Sequence, residues 1–245
     1  MARGTIHRDE GIVLRTYRLG EADRIVVLLT RQRGKVRAVA KGVRKTKSKF
    51  GSRLEPMSHC ELQIYEGREL DLVTQAESLD TFRAVRDDLD RIGRAMSMLE
   101  VVDQLAQEGQ ANPELFRMLL GALRTLETTR SPVVTPAFLW KVLALEGFRP
   151  TVEQCAQCGE TDVELVACDV DSGGLLCPTC RRGQAVSPAA VVLLQQILGG
   201  RLGEALAAGE LDEQRPAVHE VDLLATRAVE HHLERRLRSI DVLDH

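Results

Sequence analysis

What most constrains this chain is a change in its hydrophobic period near residue 80. Before that point apolar residues form short β-branched runs or alternate with polar ones; beyond it they recur at three- and four-residue steps. Period two marks a half-buried strand, and a 3.6-residue period marks one face of a helix. Residues 11–14 and 25–30 are aliphatic runs, while 34–41 alternate, with Val36, Ala38 and Ala40 on one face and Lys35, Arg37 and Lys41 on the other. Residues 60–65 and 70–75 flank the turn Glu66-Gly67-Arg68-Glu69, and Arg31-Gln32-Arg33-Gly34 joins the second and third runs as another hairpin. Five short strands without a helix long enough for a βαβ unit predict a small barrel, OB-like in kind, over residues 1–80.

From Thr81 onward a helical domain is expected to run to residue 245. Its first helix carries Phe82, Val85, Leu89, Ile92, Met96, Leu99, Val102 and Leu105 on one face and stops at Gly109. Asn112-Pro113-Glu114 supplies an N-cap, a proline at the first helical position and an acid in the first turn, and so opens a second helix. Thr135-Pro136 starts a third, ending at Gly147. Ser187-Pro188 starts a fourth, closed by Gly199-Gly200, and a last amphipathic stretch covers about 218–237. The cysteine-bearing segment at about 150–184 interrupts these helices and reads as an insertion. The expected class is α+β and multidomain: a barrel, then an α-helical domain with an inserted four-cysteine zinc finger.

That insertion holds Cys155-Ala156-Gln157-Cys158 and Cys177-Pro178-Thr179-Cys180, with eighteen residues between the pairs. Two Cys-x-x-Cys knuckles at this distance fit one tetrahedral zinc held by Cys155, Cys158, Cys177 and Cys180. Four thiolates leave no open position, so such an ion is structural. Reduced thiol pairs or a redox motif are the other readings, although redox pairs come singly beside a βαβ pattern. Cys60 and Cys168 read as small buried hydrophobes, the alternative for Cys168 being a place in the ligand set. The acids around the knuckles (Glu153, Glu160, Asp162, Glu164, Asp169, Asp171) outnumber Arg181 and Arg182, which favours a fold staple or protein contact over DNA contact.

The net charge of −3 conceals an asymmetry: residues 1–80 carry sixteen basic against eleven acidic side chains, a net of +5, and the rest carries −8. The excess concentrates in ten basic residues without one acid: Arg31, Arg33, Lys35, Arg37, Lys41, Arg44, Lys45, Lys47, Lys49 and Arg53. On a merely solvated strand face ten like charges would repel one another for no return, whereas a phosphate backbone would offset that repulsion. Such contacts confer affinity without reading sequence and make binding depend on salt. An interfacial helix would interleave large apolar residues, which this segment lacks. Tyr17, Phe50 and Tyr65 would be placed to stack on bases if they lay on the barrel face, but they read rather as structural, since aromatics are only 3% of the chain and three scattered rings make no platform.

No signature of an enzyme emerges. A Walker loop, a dinucleotide-binding glycine fingerprint, His-Glu-x-x-His and Gly-x-Ser-x-Gly are all missing from the sequence. His231 and His232 are adjacent rather than one helical turn apart; His7, His59, His219 and His245 stand alone; Asp87-Asp88 reads as solvation on a helix. Neither a signal-like N-terminus nor a membrane-length apolar run occurs, so a cytoplasmic protein is expected.

Taken in order, Gly11-Ile12-Val13-Leu14-Arg15-Thr16, Leu19-Gly20-Glu21-Ala22-Asp23-Arg24-Ile25-Val26, Leu29-Thr30, Gly34-Lys35, Ala40-Lys41-Gly42-Val43-Arg44, Ser48-Lys49-Phe50 and Leu54-Glu55-Pro56 resemble the bacterial RecO family of recombination mediators. The resemblance continues through the helices to the cysteine pairs, and many members keep only part of the zinc site that is complete here. It implies an N-terminal OB fold, a helical domain with a zinc finger, and a non-catalytic role in RecF-pathway DNA repair. Family members bind single- and double-stranded DNA, anneal complementary strands, and work with RecR. They also engage the C-terminal tail of single-strand-binding protein and help load RecA, which implies a nucleoid-associated location. By the same resemblance Lys35, Arg37, Lys41, Arg44 and Arg53 are the foremost DNA contacts. The residues by themselves reach only sequence-independent nucleic-acid binding, and an RNA-binding or ribosome-associated zinc protein stays open as an alternative.

Overall fold

The computed structural model describes residues 5–233 and 237. Two compact units emerge, one up to Thr128 and one from Thr129 onward. In the first, β1 (Ile6–Leu19), β2 (Asp23–Thr30), β3 (Gly34–Ala40), β4 (His59–Tyr65) and β5 (Asp71–Asp80) close a barrel in the order β1-β2-β3-β5-β4. All neighbours are antiparallel except β3 and β5, where Ala38 faces Asp71 and Val39 faces Leu72. This is the OB-like barrel expected from the strand pattern.

Closure depends on β1, which is much longer than its aliphatic run. Its first half pairs with β4 and its second half with β2, with an irregularity between Val13 and Arg15. A bulge adds one residue, bends the strand and reverses which face later side chains take. Val13, Val26, Leu28, Val36, Ala38, Leu62, Ile64 and Val73 fill the interior. The basic stretch after β3 is a chain of turns, pinned to the same core by Val43, Phe50 and Leu54. Phe50, only 1% exposed, is a core residue.

Packing joins three helices to the barrel: α1 (Arg83–Arg86), α2 (Leu89–Leu105) and α3 (Pro113–Thr128). The single helix expected from Thr81 is therefore two. Phe82 takes a left-handed conformation, and the Asp88 carboxylate accepts the Asp90 and Arg91 amides at 3.1 and 3.2 Å. Asp88 is thus the N-cap that restarts the chain as α2, not a solvating surface acid. Leu89, placed on the apolar face by its spacing, is 81% exposed because it lies at this restart. α3 begins as its sequence indicates, the Leu115 amide donating to Asn112 Oδ1 at 3.0 Å.

The second unit comprises α4 (Val134–Leu145), α5 (Pro188–Leu198), α6 (Leu202–Ala208) and α7 (Arg215–Leu233). α4 is apolar nearly all round and is buried, packed against α5 and α7. The Trp140 indole N–H donates to the Val221 carbonyl across that packing. Ser187 caps α5, accepting the Ala190 amide at 3.2 Å, and Gly199 ends it. The short α6 has too weak a period to be legible in sequence. Residues 234–236 of the last stretch, expected to run to about 237, and His245 lie outside the described residues. Between α4 and α5 comes the cysteine insertion, with a small sheet of β6 (Ala167–Asp169), β7 (Gly174–Leu176) and β8 (Gln184–Ala185) in the order β7-β6-β8. Among the described residues, no helix is long and apolar enough to cross a membrane.

Candidate nucleic-acid interface and metal centre

The outer surface of the barrel is divided. Ile12, Val27 and Leu29 point outward yet are fully buried, because α2 packs on β1 and β2. The segment after α2 also reaches the β2–β3 hairpin, where the Lys35 amide donates to the Gln107 carbonyl at 3.1 Å. Gly34 sits at this approach with φ +70°, and a Cβ there would lie 1.9 Å from the Gln110 carbonyl oxygen. Toward the other end of β3 the face is open, and Arg37 and Lys41 are exposed.

The ten basic residues consequently have different surroundings. Arg37, Lys41, Lys45 and Lys47 are exposed and form no ion pair among the described residues. Arg31 pairs with Glu10 at 3.3 Å and Arg33 with Glu66 at 2.6 Å. The Arg33 hydrogen bond and charge hold the Glu66 carboxyl below its ordinary range. Arg44 donates to the Gly20 and Glu21 carbonyls, Lys49 to Thr74, and Arg53 to Lys49 and Phe50. These last three brace the loop while remaining exposed.

Lys35 differs from the rest. Its side chain is 18% exposed, and its Nζ donates to the Asp103 carbonyl at 2.6 Å and lies 3.8 Å from the Asp103 carboxylate. The same carboxylate takes Arg15 Nε at 2.8 Å. Asp103 of α2 thus fastens two barrel cations to the helix that covers the barrel. The Arg15 guanidinium also lies 4.9 Å from the Tyr17 ring centroid, a cation–π contact. Arg15 does not stand out in the sequence as a binding residue, and Tyr17, read there as structural, would bind only if it lay on the barrel face. Simple alternation would turn both inward with Val13, and only the bulge puts them outside.

In the insertion, the Sγ atoms of Cys155, Cys158, Cys177 and Cys180 all lie within 4.8 Å of one another. The first pair sits in a turn that Gly159 completes at φ +76°, its amide donating to the Cys155 carbonyl. The second follows β7 and enters a 3-10 turn at Pro178. Backbone amides of Cys158 and Cys177 point at Cys155 and draw its thiol down to about 6, favouring thiolate. Burial and the sulfurs of Cys177, Cys158 and Cys155 push Cys180 up to about 12. Cys60 and Cys168 stand apart from the cluster, buried, with burial pushing each thiol up to about 11.

Comparison with known proteins accords with this geometry. Residues 1–82 match the family described as Recombination protein O N terminal, and residues 86–241 match Recombination protein O C terminal. The chain belongs to the RecO family. Its relatives include proteins named DNA repair protein RecO from Nocardioides sp., 44% identical over 96% of this chain and 98% of the relative, and from Frankia casuarinae, 43% identical over 98% of each. The Thermobifida fusca relative of the same name is 41% identical over 98% of this chain and 99% of its own.

For a RecO-family chain, the four-cysteine cluster passes a simple test of fit. Thiolates about 2.3 Å from one tetrahedral ion stand roughly 3.8 Å apart. Cys158 Sγ and Cys177 Sγ are 3.9 Å apart, and the Cys177 amide donates to Cys155 Sγ at 3.5 Å. The cluster can hold a metal ion in a closed site. Such an ion would neutralise thiolates that otherwise repel one another and would join the two knuckles.

Proposed function

We propose that this RecO-family protein is a non-catalytic DNA repair mediator of the RecF-pathway type. It binds single- and double-stranded DNA without reading sequence, anneals complementary strands, and helps load RecA onto DNA coated with single-strand-binding protein. The observation that carries this reading is the group of exposed cations Arg37, Lys41, Lys45 and Lys47, which form no ion pair among the described residues, on the open side of an OB-like barrel. Arg31, Arg33, Arg44, Lys49 and Arg53 extend the strip, since surface pairs such as Arg33–Glu66 are weak enough to exchange for phosphate. Lys35 serves this surface from beneath, through Asp103.

Cations placed this way neutralise two phosphate backbones together and lower their repulsion while complementary bases find register. The step requires charge and geometry, not bond chemistry. The barrel of residues 1–80 is the DNA-binding module, and the helical region 81–245 carries one structural zinc at Cys155, Cys158, Cys177 and Cys180. RecR and the tail of single-strand-binding protein are its protein partners in the cytoplasm, at the nucleoid. The deciding experiment mixes complementary oligonucleotides coated with single-strand-binding protein, with and without the purified chain. Faster duplex formation is expected; an unchanged rate in low salt would overturn the mediator role.

A further inference from the structure

The ladder of the barrel aligns an apolar row across its open outer face. Tyr17 faces Ile25, Ile25 faces Val39, Val39 faces Leu72, and Leu72 faces Tyr65. Neighbouring strands lie about 4.8 Å apart, so these side chains stand shoulder to shoulder. Tyr17 is 41% exposed and Tyr65 36%, with Ile25, Val39 and Leu72 half-buried between them. One row away on the same face, Arg15 and Arg37 flank Val27, and Lys41 follows β3. Asp23, two residues before Ile25 on β2, accepts the Gly42 amide at 2.7 Å. An apolar, ring-bearing strip bordered by cations, of which Arg37 and Lys41 form no ion pair among the described residues, matches an anionic ligand with flat apolar faces.

We propose that Tyr17, backed by Ile25 and Val39, stacks an unpaired nucleobase of single-stranded DNA whose phosphates lie on Arg37 and Lys41. This rests on the DNA-binding reading above and adds a preference to it. A duplex hides base faces within its own stack and offers the strip only edges and phosphates, so the row rewards single strands alone. Arg15 contributes by restraint. Its guanidinium, tied to Asp103 at 2.8 Å, packs against the Tyr17 ring and limits its motion before a base arrives.

The test compares wild type, Tyr17→Leu, Tyr17→Phe and Arg37→Ala in binding to an oligothymidylate and to a duplex of equal length, across a salt series. Stacking on an aromatic ring predicts that Tyr17→Leu lowers single-strand affinity roughly five- to a hundredfold, most plainly at moderate salt. Duplex affinity and the salt slope should stay put, because no phosphate contact is lost, and Tyr17→Phe should restore binding. A 2-aminopurine placed in the single strand should be quenched by wild type and Tyr17→Phe but less by Tyr17→Leu. Equal losses on both ligands, or unaltered single-strand binding by Tyr17→Leu while Arg37→Ala flattens the slope, would overturn the stacking site and leave the DNA-binding reading standing. A wild-type chain that binds neither ligand would overturn both.

Discussion

Lys35 and Arg37 lie two residues apart on one strand face, yet substitution should affect them in opposite ways. Lys35→Met removes an amine bonded at 2.6 Å to the Asp103 carbonyl while keeping the aliphatic stem. A hydrogen bond from a charged donor contributes about 1.5–3 kcal/mol. The larger cost of an unpaired buried carboxylate does not arise, because Arg15 still holds Asp103 at 2.8 Å. At roughly 2–4 °C per kcal/mol for a chain of this size, the melting temperature should fall by about 3–12 °C. Salt dependence of DNA binding should not change. Arg37→Ala, at an exposed residue without an ion pair among those described, should move stability by less than about 0.5 kcal/mol. It should instead remove one phosphate contact, reducing the single-strand salt slope by about 0.7. The ratio of affinities at 50 and 200 mM salt would then shrink by about 2.6-fold. Thermal melts and fluorescence-anisotropy titrations measure both quantities on the same preparations. A Lys35→Met variant of full stability with a flattened slope would refute the assignment of Lys35 to Asp103.

Other expectations follow from the same geometry. On the proposed zinc centre, wild type should carry one zinc per chain by elemental analysis, and Cys158→Ser should lower that toward none and reduce thermal stability while oligonucleotide affinity is kept. Loss of that affinity in a folded, zinc-free variant would contradict a purely structural metal. Both ring nitrogens of His7 are buried without a hydrogen bond, and burial, then the Arg33 charge, holds its pKa below the ordinary 6.5. The unfolded chain therefore takes up this proton first, so the contribution is complete above pH 6.5 and is lost as pH falls toward the lower folded value. His7→Phe should flatten the urea midpoint between pH 7.5 and 5.5; an unaltered pH dependence would exclude His7 as its source. Gly34→Ala should cost at least about 2 kcal/mol, because its left-handed backbone also meets the Gln110 carbonyl. Gly20→Ala, at φ +57° with nothing within 4 Å, should cost only about 1 kcal/mol. Equal urea midpoints for the two variants would mean that the hairpin contact is unimportant.

Local signals carried far in this protein. Alternation around Val36, Ala38 and Ala40 is enough to define β3, and Asn112-Pro113 and Ser187-Pro188 are enough to open α3 and α5, since strand faces and helix caps are settled within a few residues. The four-cysteine cluster was legible for a related reason: cysteine knuckles bring their own turns, so spacing reports geometry before the rest of the fold is known. The excess of cations over residues 31–54 likewise needs only counting.

Tertiary structure decided which of those cations are available. Lys35 and Arg37 share a strand face and a charge, and only α2, arriving from about seventy positions along the chain, fastens one of them to Asp103. Tertiary structure also placed Arg15 and Tyr17, because the irregularity between Val13 and Arg15 reverses the alternation that a sequence reader extends by default. Both decisions are non-local. A bulge is fixed by how β1 must bend between β4 and β2 to close the barrel, and a buried ion pair by which helix covers it. Composition and periodicity therefore determined that this chain has a cationic barrel and a four-cysteine centre, while the packing of α2 and the closure of β1 determined which side chains that barrel presents.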